Sequence, residues 1–144
     1  RKVCAVDAAS ANHRTSILLV DPSGNCLRTG AAPQFPPDFI EAVPRIDLPF
    51  PDDVVRTSVV RSVDGLVLFF TFLKDMTIPL HAHGAQWGAV LEGEIELTSG
   101  GETRTSRPGD SFTIPAGVEH GAVIKAGTRA IDVFEEADRY TIRS

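Results

Sequence analysis

Two imidazoles, a carboxamide and a third imidazole stand where they can converge: His81, His83, Gln86 and His120. The chain has only 4 histidines, and two of them sit one residue apart in "HAHGAQ", just before Gly84. Burying a core calls for nothing of that kind. Side chains two apart on a strand point to one face, so His81 and His83 aim together. If Gly84 and Ala85 form a two-residue hairpin loop, glycine first suits a type II′ turn. Gln86 then lies opposite His83 on the same face, and Gly88 lies opposite His81, leaving the space clear. His120 ends "GDSFTIPAGVEH", where Pro115 and Gly117 close one strand and redirect the chain into the next. Imidazole nitrogen suits several divalent transition metals, among them zinc, nickel, iron, copper and, less strongly, manganese. His13, near the N-terminus, looks incidental.

The elements that must position these residues are strands. From Val54 onward short apolar runs alternate with Gly and Pro, and no long helical period interrupts them. "RTSVVRSV" and "LVLFFTFL" flank Asp64-Gly65, a dipeptide suited to a type I′ hairpin. The second run is apolar on both faces, as in a strand buried on both sides. "EIELT" alternates, "RPGD" is a turn before "SFTIP", and "TRAIDVFEE" reads as a last strand. Before them, 6 of the 10 prolines fall between Pro33 and Pro51, a wrapping connector in which "PPDFIEAV" can hold one helical turn. Earlier still, "SILLV", "DPSGN" and "CLR" make one plausible hairpin. The organisation expected is an N-terminal extension over 1–35 and a β-domain over 36–144.

The bulk numbers agree with one globular domain. At 144 residues, with 42% hydrophobic and 23% charged side chains, a single core is expected without staples. A net charge of −5 and the lack of a Lys/Arg cluster argue against a nucleic-acid partner. No apolar run approaches the ~20 residues of a membrane span. Cys4 and Cys26 fit no metal spacing and are expected as thiols of a reducing cytosol.

The two histidine segments together resemble the paired motifs of the cupin superfamily. In the first motif His81, His83, Gln86 and Gly93 take the places of His-x-His, an acidic ligand and a glycine six residues on. In the second, Gly109, Pro115, Gly117 and His120 match the spacing in full. Three departures stand out: Gln86 replaces the acidic ligand, its spacer is short, and Ile124 stands where Asn is common. The resemblance covers roughly residues 36–144. It implies an all-β fold, the cupin double-stranded β-helix or jelly-roll barrel, and a metal held by His81, His83, Gln86 and His120. Gln86 either ligates the ion or hydrogen-bonds a water on it. Zinc, nickel, manganese or iron are the candidates. The resemblance also implies a homodimer.

A site without a carboxylate keeps the ion's full charge, which favours Lewis-acid work. Four protein ligands leave room for substrate on an ion that accepts five or six, whereas a tetrahedral zinc would be closed and structural. Small cupins with glutamine at this place resemble those that act on unsaturated uronates and those that cyclise aromatic polyketides. The leading expectation is therefore a metal-dependent lyase, isomerase or cyclase acting on a small molecule such as a uronate-like sugar or keto acid. The alternatives are an iron-dependent dioxygenase and a non-catalytic cupin binding a sugar or other small ligand. Tyr140 and Glu92 are the candidate acid–base residues, Arg129 and Lys125 possible anchors for a carboxylate, and Asp132 an inward residue if the strand's parity allows. Trp87 should face away from the metal.

Overall fold

The structure is a computed structural model and describes residues 19–20, 26–27 and 37–143. It divides into two units, residues 1–37 and 38–144. In the first, β1 (Leu19–Val20) and β2 (Cys26–Leu27) pair antiparallel with Leu19 opposite Leu27. They are the arms of the expected hairpin. Its turn, Cys4 and His13 lie outside the described residues.

The second unit begins with a single helical turn, α1 (Asp38–Glu41), and is otherwise built of strands. Five of them, β4 (Val55–Arg61), β5 (Leu66–Phe72), β7 (Gln86–Glu92), β10 (Ser111–Ile114) and β12 (Arg129–Phe134), form one antiparallel sheet in the order β10-β7-β12-β5-β4. Four others, β6 (Met76–His81), β8 (Ile95–Ser99), β9 (Glu102–Ser106) and β11 (His120–Ile124), form a second in the order β6-β11-β8-β9. A short pair, β3 (Arg45–Ile46) with β13 (Ile142–Arg143), follows β12, so "TRAIDVFEE" is not the last strand. The inner faces of the two large sheets meet in one apolar cluster, with Leu68, Phe70 and Val90 from one side and Ile95, Leu97 and Ile124 from the other. Each such side chain contributes roughly 1.5–3 kcal/mol by leaving water. Among the described residues no helix is long and apolar enough to cross a membrane.

Three sequence expectations change. First, β5 is buried fully on one face only: Leu66, Leu68, Phe70 and Phe72 are buried, whereas Val67, Phe69 and Thr71 are half-buried. In a two-layer antiparallel fold the second sheet covers one face of each strand. Second, β4 and β5 form the expected hairpin, with Arg61 opposite Leu66, but four residues join them. Among the described residues no non-glycine has positive φ, so Asp64 cannot occupy a type I′ turn; instead the Ser62 hydroxyl accepts the Asp64 N–H at 3.1 Å. Third, β6 and β7 are not a hairpin. They belong to different sheets, and Gly84 does not take the positive φ that a II′ turn requires. The segment between them is a crossover that carries the chain from one layer to the other.

Candidate metal centre

Because of that crossover, the cross-strand partner of His81 is His120, not Gly88. The β6–β11 ladder is in register at His81 and His120, then slips between His120 and Ala122, where β6 holds one extra residue. Two residues make the bulge possible. Pro79 donates no hydrogen bond and is tolerated on β6 because it is an edge strand. Gly121 lies against it so closely that a Cβ would stand 2.8 Å from the Ile78 carbonyl oxygen. A bulge re-aims the side chains beside it, and here it turns both rings inward.

His83 comes from the crossover itself, which is clasped from the far side. The Glu136 carboxylate accepts the Gly84 N–H at 3.0 Å, and Glu135 N–H donates to the Ala85 carbonyl at 3.1 Å. A Cβ on Gly84 would sit 2.7 Å from Glu136 Cγ, which explains the glycine after the second histidine.

The three rings share one hydrogen-bonding pattern. Nδ1 of His81 meets the Pro79 carbonyl at 2.9 Å, Nδ1 of His83 meets the Gly84 carbonyl at 2.8 Å, and Nδ1 of His120 meets the Val118 carbonyl at 2.8 Å. A carbonyl oxygen can only accept, so each Nδ1 carries the ring proton. Each neutral ring then presents an unprotonated Nε2. Burial is the main reason His83 and His120 have pKa values below the ordinary imidazole range, and the nearby Arg139 charge pushes the same way. They favour the neutral form that ligates metal.

Nε2 of His83 and Nε2 of His120 stand 3.0 Å apart, and one ligand nitrogen from each of the three rings lies within 4.8 Å of the others. Two acceptors at 3.0 Å repel unless a cation or a proton lies between them. A metal–nitrogen bond of about 2.1 Å places neighbouring ligand nitrogens roughly 3–3.5 Å apart. The donor set, the fixed tautomers and the spacing therefore fit a divalent metal. A ring N–H bound to a carbonyl is also the usual support behind a metal-ligating histidine.

Gln86 lies at the start of β7 and lines the same cavity. Its carboxamide hydrogen-bonds to Asp132, the residue paired with Gly88 across β12 and β7. Asp132 does point inward. Burial raises its carboxyl from 3.8 to about 7, opposed in part by the Gln86 hydrogen bond, and its Oδ1 is enclosed without a hydrogen-bond partner. Gly88 makes the room: a Cβ there would lie 2.3 Å from Asp132 Oδ1 and 2.3 Å from Phe112 Cζ.

Arg139 also lines the cavity. Its guanidinium stacks 5.3 Å from the Phe134 ring centroid and 5.1 Å from that of Tyr140, with Glu136 Oε2 at 3.6 Å. Its Nε is buried without a hydrogen-bond partner. Tyr140 lines the cavity too, edge-on to Phe134 at 5.8 Å. Glu92 does not. It is exposed at the end of β7, 3.7 Å from Arg129, because the turn after β7 carries it away from the interior. Arg129 makes that ion pair and Lys125 sits in an exposed turn, so neither reaches the cavity. Trp87 faces outward and is 43% exposed. Strand parity was the only sequence signal for Asp132, and nothing in the sequence distinguished Arg139.

A cupin domain family model matches residues 68–134, the stretch that carries both histidine segments. The chain carries a small cupin domain. Similar solved structures agree. An RmlC-like cupin from Shewanella frigidimarina is 28% identical, covers 69% of this chain and 88% of its own, and superposes with a TM-score of 0.60. KdgF from Halomonas sp. is 27% identical over 64% of this chain and 88% of its own, with a TM-score of 0.56. AerE from Microcystis aeruginosa is 25% identical over 65% of this chain and 46% of its own, with a TM-score of 0.57. Among curated proteins none matches. The cupin fold is thus shown, and within it His81, His83 and His120 form a cluster that could hold a metal ion.

Proposed function

We propose that this cupin is a metal-dependent, non-oxidative enzyme of the lyase, isomerase or cyclase type, acting on a small carboxylate of the uronate or keto-acid kind. One observation carries the reading. The tautomer-fixed triad and Asp132, a carboxyl that burial keeps protonated above its usual range, line one cavity, so a cation site and a proton-bearing group border the same space.

His81, His83 and His120 hold the ion, and Gln86 offers a neutral oxygen while its amide donates to Asp132. When bound, the metal supplies Lewis-acid polarisation of a substrate oxygen. Asp132 holds or receives a proton at Oδ1, and the Gln86 hydrogen bond fixes the carboxyl's orientation. A positioned carboxyl of this kind contributes typically 10²–10⁴-fold to a proton transfer. Arg139 binds the substrate's carboxylate, for which a guanidinium already pinned between two aromatic rings loses little freedom. Phe134, Phe112 and Ile114 wall the site and exclude water, which strengthens each of these interactions.

The test is a screen of zinc-, nickel-, manganese- and iron-loaded protein against unsaturated uronates and 2-keto acids without oxygen. Conversion that needs metal and is lost in Asp132→Asn is the expected result. Oxygen consumption coupled to turnover by the iron form would replace this reading with a dioxygenase. Stoichiometric ligand binding without conversion by any metal form would replace it with a binding protein.

A further inference from the structure

The cavity continues well beyond the histidines, and its polarity changes along its length. Its volume is about 400 Å³. Register gives its depth. From His120 the inward residues of β11 run to Ala122 and Ile124, which pair with Ile78 and Met76 on β6 and with Leu97 and Ile95 on β8. Four residues at ~3.3 Å each make the path about 13 Å long. The opposite wall runs from Gln86 and Phe134, past Gly88 and Asp132, to Phe70, Phe72 and Val55. The Phe70 and Phe72 rings stack there at 5.4 Å.

The hydrogen-bonding side chains of the lining lie at one end. His81, His83, Gln86 and His120 form the first tier, joined by Arg139 and Tyr140 beside Phe134. Asp132 marks the next tier. Beyond it the lining is Met76, Ile95, Leu97, Ile124, Phe70 and Phe72, with no polar side chain among them. Ala122, which pairs with Ile78 and Leu97, stands where the polar end gives way to the apolar one.

We propose that the site takes an amphipathic carboxylate: an anionic, oxygen-bearing head at the histidine end, and an apolar chain or ring in the chamber behind it. This rests on the reading of the triad cavity as a small-molecule site. A polyhydroxylated sugar filling the depth would bury hydroxyls against hydrocarbon, at a cost of roughly 1–3 kcal/mol for each one left unpaired. An apolar body gains from the same walls. Arg139 selects the head, since it lines the cavity at the histidine end and a guanidinium matches a carboxylate's two oxygens. Within the proposed function, the geometry favours keto acids with an apolar body over uronates.

The test is calorimetric titration of zinc-loaded protein with acetate, butyrate, hexanoate and octanoate, beside glucuronate. Affinity should rise along the series, by up to about fourfold per added methylene. Octanoate should exceed glucuronate at least tenfold. In Ala122→Phe, which blocks the chamber, the chain-length gain should vanish. The series on unaltered protein stands by itself if that variant misfolds. Affinity that is flat with chain length, or glucuronate binding as tightly as octanoate, overturns the proposal while stoichiometric zinc leaves the metal-site reading intact. A chain-length gain in protein that retains no zinc does the reverse. Neither zinc nor any carboxylate binding overturns both.

Discussion

Strands β6 and β11 of the four-stranded sheet bring lone pairs to the cavity, whereas β7 and β12 of the five-stranded sheet bring a proton. His81 and His120 face each other across a bulged ladder, with their ring protons held by backbone carbonyls. Asp132, opposite Gly88 in the other sheet, is a carboxyl that burial keeps protonated far above its usual range. Arg139, just past β12, adds a cation to the same cavity. In the proposed function the two layers therefore separate ion binding from proton transfer, although both border one space. The sheet that supplies lone pairs needs an edge strand and a bulge to aim them. The sheet that supplies the proton needs only parity and a glycine.

Breaking the lone-pair side should have the largest effect. His120→Ala should abolish metal retention in elemental analysis while far-UV circular dichroism stays that of a β-protein. Metal held at wild-type stoichiometry would show that the triad is not the site. Breaking the proton side should look different. Asp132→Asn should keep its metal and lose roughly 10²–10⁴-fold in turnover, and a variant that loses metal and activity together would erase the division between the sheets.

Glu136 joins the two sides, because it holds Gly84 beside His83 and also faces Arg139. Glu136→Ala should weaken metal binding about 10–100-fold in a chelator competition, the range typical of groups that orient ligands. Unchanged affinity would mean that the crossover holds its shape without the clasp.

The proton side should also mark the stability of the metal-free protein. Between pH 3.8 and about 7 the native state keeps an Asp132 proton that the unfolded chain has released. Stability must therefore fall as pH rises through that window and level off on either side. At ~1.4 kcal/mol per pKa unit the fall is at most about 4 kcal/mol. Denaturant titrations at several pH values should show it in wild type and not in Asp132→Asn. The smallest effect belongs to Glu92→Gln. An exposed ion pair at the end of β7 should leave activity and metal content unchanged and shift stability by no more than about 0.5 kcal/mol.

The sequence by itself determined the fold class and the histidine triad. Short alternating runs can bury a face only as strands in layers, and two spaced histidine segments have few other uses. The hairpin drawn through Gly84 and Ala85 was a local solution that put Gln86 opposite His83 and Gly88 opposite His81. The fold reached a similar convergence by crossing between sheets, with His120 taking the place opposite His81. Local patterns specify a strand's period but not the sheet it joins, since pairing partners are chosen by burial over the whole domain. The same limit explains Glu92 and Asp132, which look alike as isolated acidic residues near strand positions. Only the tertiary structure decided that one ends in solvent beside Arg129 and the other is enclosed beneath Gln86. A carboxyl's surroundings, and with them its proton, are set by residues that the chain brings together from far apart.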